Sequence, residues 1–185
     1  MDYQIVTAKD WPTIADNNEE FTGIEFVEVD FTETPLKGLI FLDCKFSSCN
    51  FANTSIQNTV FRGVLFENCN MMGINWTDAR KGGDFNFVGC KLDFGCFQSV
   101  DLRGRRFEDC SIKEADFSQA NLAKSMFSGS VLSGASFTGA NLEKCDFRSA
   151  QRYQIDPRYT KMKEAKFSFP EAITLLHALG IDIEM

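Results

Sequence analysis

Seven cysteines and one histidine are the side chains of this 185-residue chain best suited to bind metal, cross-link or supply a nucleophile and base. Zinc needs three or four such ligands converging at short spacings, and that pattern is absent. Six of the cysteines (Cys44, Cys49, Cys69, Cys90, Cys110, Cys145) stand two residues before a large apolar residue. A small inward side chain is wanted there, and a thiol serves as a small hydrophobe. Cys49 with Cys69, and Cys90 with Cys110, would sit close enough for bridging if residues twenty apart stack. The odd cysteine count and the non-basic start Met1-Asp2-Tyr3, with no apolar run after it, point instead to reduced thiols in a cytoplasm. His177, between Leu176 and Ala178, reads as a surface or interface residue rather than a base. There is no Gly-rich phosphate loop and no nucleophile motif. The expectation is a chain without enzymatic activity, cofactor, metal or membrane span.

Charge carries more information. The chain holds 19 basic and 26 acidic residues, a net −7, and the excess of acid lies in its N-terminal half. Between Asp10 and Asp43 it is concentrated in Glu20, Glu25, Glu28, Asp30, Glu33 and their neighbours, opposed only by Lys37. Such a field repels nucleic acid and attracts basic protein surfaces. Acids on an outer wall also serve solubility alone.

What positions these residues is a period of five. Large apolar residues recur at Phe21, Phe26, Phe31, Leu36, Phe41, Phe46, Phe51, Ile56, Phe61, Phe66, Met71 and Trp76. After one slip they resume from Phe87 through Leu92, Phe97, Leu102, Phe107 and onward to Phe147. Neither a helix nor a strand has this period, so it marks a structural repeat. Ala115-Asp116-Phe117, Ala120-Asn121-Leu122 and Ala140-Asn141-Leu142 show the unit most plainly.

In these units the chain resembles the pentapeptide-repeat family over roughly residues 19–149. The resemblance implies an all-β solenoid, a right-handed quadrilateral β-helix with one pentapeptide per side and twenty residues per coil. The residues agree independently: Phe87, Phe107, Phe127 and Phe147 would form one column and Phe97, Phe117 and Phe137 another. Residues 1–18 are then an N-terminal cap, 19–150 the β-helix, and 151–185 a C-terminal module. Residues 77–86 hold one residue too many and are expected to bulge as a small loop with a basic tip at Arg80 and Lys81. Arg105 occupies a small inward position and should distort its coil or swing outward. Ile40, Leu42 and Val60 make an outward apolar patch.

Beyond Phe147 the period lapses, and residues 151–166 read as an irregular connection. Ser168-Phe169-Pro170-Glu171 reads as a capping box opening a helix stopped at Gly180, with Ile181 and Ile183 in a short strand. The helix would cover the last coil or pair with another copy; Ala172, Leu175, Leu176, Leu179 and Ile181 are the expected homodimer interface. This tail resembles that of the gyrase-protecting members, of the quinolone-resistance and microcin B17 immunity type. The resemblance implies a DNA-mimicking binding protein that protects DNA gyrase or topoisomerase IV from an inhibitor or toxin and binds no nucleic acid directly. The contact would lie at Glu20, Glu25, Glu28, Asp30, Glu33 and Asp43, with Arg80 and Lys81 as secondary contributors. The alternative is an interaction scaffold for an unassigned protein partner, meeting it at the Ile40, Leu42 and Val60 patch.

Overall fold

The computed structural model describes residues 3–15, 18–34 and 36–183. Twenty-residue periodicity becomes parallel pairing: β2 (Glu20–Thr22) lies beside β4 (Ile40–Leu42), and β4 beside β6 (Val60–Glu67), each twenty residues on. On the next side β3 (Ile24–Val27), β5 (Lys45–Ser47), β6, β7 (Asp84–Val88) and β8 (Phe107–Glu108) follow in the same way. The other two sides are ladders of single bridges, such as Asp30↔Asn50↔Asn70↔Lys91 and Asn75↔Cys96↔Asp116↔Ser136. The result is a four-sided parallel β-solenoid.

Its interior is filled by like residues stacked in columns. Phe107 lies over Phe127 at 4.9 Å between ring centroids and 6° between planes, and Phe127 over Phe147 at 4.9 Å and 4°. Rings on adjacent sides meet edge to face, as Phe117 and Phe127 do at 89°. Each column residue is buried, and a buried Phe contributes roughly 1.5–3 kcal/mol by leaving water. The small inward position does more than fill space. Thr59 donates to the Leu36 carbonyl at 2.7 Å, Ser130 to Phe107 at 2.7 Å and Cys69 to Phe46 at 3.3 Å, each reaching back 23 residues. A hydroxyl or thiol there gives a carbonyl of the coil below a further donor. Where the position is Ala120 or Ala140, the turn amide alone meets that carbonyl, as the Val100 N–H does for Phe97 and the Ala120 N–H for Phe117.

The expected slip is present. Across β6 and β7 the offset changes from Arg62↔Asp84 to Val64↔Phe85, and the pairs that follow are 21 residues apart, as in Phe66↔Phe87 and Asn70↔Lys91. Twenty-residue spacing then returns at Phe87↔Phe107. The slip aligns Cys49, Cys69, Cys90 and Cys110 into one column in successive coils, a longer run than either pair expected from sequence. All seven thiols are free.

Both ends are covered. At the N-terminal end β1 (Gln4–Thr7) adds a strand beside β3, and α1 (Trp11–Ala15) brings Trp11 against the rings of Phe21, Phe26 and Phe31.

At the other end the structure departs from the sequence reading. The coil path does not stop at residue 150: Asn141↔Lys161 and Asp146↔Lys166 continue the ladders, and Phe167 stacks on Phe147 at 5.2 Å. Residues 152–160 alone leave the ladder pattern, because Tyr153 and Ile155 turn inward off the five-residue phase. The helix α2 (Ile173–Ala178) is shorter than expected, with Ala172 at its N-cap and no side-chain capping bond. Ser168 instead accepts from the Ser149 amide at 3.1 Å, which ties the tail to the rod. Gly180, at φ 76°, ends the helix as expected, but Ile181–Ile183 form no strand. None of the described helices is long and apolar enough to cross a membrane.

Candidate functional site

Strand alternation decides where the acids point. Phe21, Phe26 and Phe31 face inward on three successive sides, so the charged residues flanking them face outward on three different sides. Glu20 and Asp43 belong to the side carrying β2 and β4, Glu25 and Glu28 to that of β3 and β5, and Asp30 and Glu33 to the third. The sequence cluster therefore becomes a collar around one end of the rod rather than a stripe along one face.

The collar is not uniformly available. Lys45 bridges Glu25 at 3.1 Å and Glu67 at 3.0 Å, one coil to either side. With the Ser47 hydroxyl at 2.8 Å as the main cause and Lys45 adding to it, the Glu25 carboxyl is held below its usual range. Asp30 accepts from the Thr32 amide and hydroxyl, which lower it likewise, and from Asn50. Glu20, Glu28, Glu33 and Asp43 are exposed and without an ion pair among the described residues. They are the acids of the collar free to meet a cation.

The slip builds a marked irregularity of the wall. No large residue arrives on the first side of that coil, since Gly82 and Gly83 stand where one is due. Phe85, from the small position of the next side, turns in to fill the space, stacking on Trp76 at 4.9 Å. Arg105 holds the same position one coil later and swings outward over Phe85, 6.0 Å from the ring centroid. There it pairs with Asp84 and donates to the Gly83 carbonyl at 3.0 Å. Both alternatives raised for Arg105 by the sequence reduce to this one. The Arg80 amide, bonded to the Thr59 carbonyl at 2.9 Å, fixes the other end of the loop.

The loop lies alongside the outward apolar patch. Ile40, Leu42 and Val60 form the floor of a groove of about 320 Å³ walled by Arg80, Lys81, Gly82 and Gly83, with Glu20 and Arg62 also on its lining. Ile40 pairs with Val60 and Leu42 with Arg62 in adjacent coils, so the floor is a short apolar ladder ending at an arginine. The patch and the basic tip, separate features of the sequence, line one groove. Arg62 and Phe85 were the residues the sequence reading missed. The signal for Phe85 was its place two before Phe87, the small-residue slot.

At the far end, α2 turns two ways. Ile173 is buried and Leu175 packs on the rod, with Ala172 half-buried beside them. Leu176, Leu179 and Ile181 are exposed, as is Phe169, absent from the expected interface. The helix both covers the last coil and presents an apolar outer face. Among the described residues no three metal-binding side chains converge.

A family model described as a pentapeptide repeat region matches residues 19–81 and 83–157, its break falling in the loop. A trypsin-treated structure of QnrB1, a plasmid-mediated fluoroquinolone resistance protein, superposes with a TM-score of 0.68 at 20% identity, covering 89% of this chain and 90% of that one. A second trypsin-treated structure of QnrB1 gives 0.51 at 22% identity, with the same coverage of both chains. HetL, a pentapeptide repeat protein involved in heterocyst differentiation regulation in the cyanobacterium Nostoc, gives 0.46 at 16% identity, covering 86% and 92%. No curated protein matches the sequence.

Proposed function

The chain belongs to the pentapeptide-repeat family, and on that premise we infer that it is a non-enzymatic binding rod whose outer wall meets a protein partner. The observation carrying this is the division of the coil. Its interior is filled by stacked Phe and aliphatic columns, while every charged collar residue lies outside. A rigid rod with a ring of unpaired carboxylates presents negative charge on several sides at once, as duplex DNA does. A basic DNA-binding surface would accept it, and a nucleic acid would be repelled.

The finer reading is that the partner is DNA gyrase or topoisomerase IV and that binding counters an inhibitor or toxin. The likeness in fold to QnrB1 and the collar of Glu20, Glu28, Glu33 and Asp43 support it. Homodimerisation through Leu176, Leu179, Ile181 and Phe169 belongs to the same reading, since it would join two rods end to end about a two-fold axis with both collars outermost. The test is gyrase supercoiling and drug-induced cleavage with and without the protein, using a fluoroquinolone. Relief of cleavage by the wild type, lost when Glu28 and Asp43 are both replaced by Lys, is the expected result. No effect on either reaction at micromolar protein excludes the topoisomerase partner and leaves the scaffold.

A further inference from the structure

We propose that the groove between the 80–83 loop and the Ile40, Leu42 and Val60 ladder is a second binding site, of opposite polarity to the collar, for an extended peptide segment of a protein partner carrying an aliphatic side chain followed by carboxylates. Three observations converge on it. The floor is aliphatic and lies outside, where a β-solenoid wall is normally polar. Of the residues lining the groove, Arg62, Arg80 and Lys81 have no ion pair among the described residues, whereas Arg103, Arg105 and Arg106 nearby each have a carboxylate partner. The site is also preformed. Arg105 clamps the loop at Gly83 and Asp84, the Arg80 amide clamps it at Thr59, and Phe85 anchors it in the core. A fixed wall spares a ligand the cost of ordering it.

Charge complementarity sets the occupant. Glu20 stands toward the N-terminal end of the groove, the apolar ladder in the middle, and the guanidinium and ammonium groups toward the loop. A segment reading cation, aliphatic, carboxylate along the rod axis meets each in turn. The volume of about 320 Å³ suits a few side chains rather than a folded surface. A nucleic acid has the anions but not the aliphatic group, and Glu20 on the lining opposes a polyphosphate. The site shares Glu20 with the collar, and Arg80 and Lys81 serve in it a ligand other than the topoisomerase: the collar is acidic and seeks cations, whereas this groove seeks acids.

The test is a titration followed through backbone amide NMR shifts. The probe is an eight-residue peptide with lysine first, two isoleucines spaced by serine, and two aspartates last. Saturable shifts centred on Ile40, Leu42, Val60, Gly82 and Gly83 are expected. Affinity should fall at least tenfold when Arg80 and Lys81 are both replaced by Ala, and at least tenfold when the aspartates of the probe become asparagines. Both variants of the experiment keep the core intact, and the same spectra report the fold. Absence of localised shifts at millimolar peptide overturns the proposal. So does a single-stranded oligonucleotide that binds the same amides more tightly than the peptide. Neither outcome bears on the gyrase assay.

Discussion

The guanidinium of Arg105 lies 6.0 Å from the centroid of the Phe85 ring, and both residues occupy inward slots that elsewhere hold Ile, Cys, Val or Ser. In that column Ile24, Cys44 and Val64 precede them and Ser125 and Cys145 follow. Two oversized residues in succession are accommodated because Gly82 and Gly83 leave the adjoining large position empty.

Replacing Phe85 with Ala should therefore be costly. It removes a buried ring touching Phe61, Trp76 and Phe87 and leaves a void that the coil cannot close. A loss of about 3–5 kcal/mol is expected, read from urea unfolding midpoints. Arg105→Ser should cost less, about 1–2 kcal/mol from its lost hydrogen bonds, while releasing the loop. Hydrogen exchange at Gly82 and Gly83 should rise in that variant and remain unchanged in the distant coils.

Phe94 is 60% exposed, and its backbone sits at φ 61°. A bulky residue in the left-handed region is strained by roughly 1–2 kcal/mol, which Asn tolerates better. The corresponding corner one coil earlier is Gly73 and before that Asn53, both with positive φ. Phe94→Asn is expected to stabilise the chain by about 1 kcal/mol, measured as a rise in the thermal midpoint. A fall would mean that the ring makes a contact worth more than the strain.

Acid should weaken the fold through carboxyls such as Glu25. Its folded carboxyl is held below the ordinary value of 4.5 by Ser47 and Lys45, so its contribution is present above that pH and lost as pH falls through the folded value. Denaturation midpoints should be level from neutrality to about pH 5 and drop below 4.5. Glu25→Gln should lower the neutral plateau and soften the acid limb. An identical acid limb in that variant would remove Glu25 from the account.

Thiol reactivity gives an independent check of the columns. Cys44, Cys49, Cys69, Cys90, Cys110 and Cys145 are buried, and burial pushes Cys145 up to about 12, whereas Cys96 is partly exposed on the outer wall. With Ellman's reagent at pH 8 the native protein should show one fast thiol, abolished by Cys96→Ser, and six that react only on unfolding.

Self-association is tested at Leu176 and Leu179. Replacing both with Asp should halve the mass seen in sedimentation if the outer face of α2 joins two copies. Ile173 and Leu175 still cover the last coil, so the variant should keep its melting behaviour. An unchanged mass would leave α2 as a lid alone.

The sequence made the solenoid legible because a five-residue period has few physical solutions and because columns such as Phe107 and Phe127 could be checked twenty residues apart. What escaped were places where side chains left that phase. Phe85 stood off the five-residue series and so looked like part of a loop. Met162 and Phe167 do keep phase with Leu142 and Phe147, but the intervening Tyr153 and Ile155 hid the continuation. The groove was half legible: residues 40, 60 and 80 are twenty apart and stack, but the place of Gly82 and Gly83 beside Leu42 and Arg62 depends on where the slip is absorbed, which has no linear signature.

The 21-residue coil has a further meaning for how such a chain can grow. Because a coil registers only on its immediate neighbours, one surplus residue is absorbed locally and the coils that follow regain their phase, as Phe87↔Phe107 does. Length in this molecule is thus graduated like a ruler. Whole coils could be removed or copied as cassettes, shifting the distance between the collar and α2 by a fixed step while leaving the chemistry at either mark untouched.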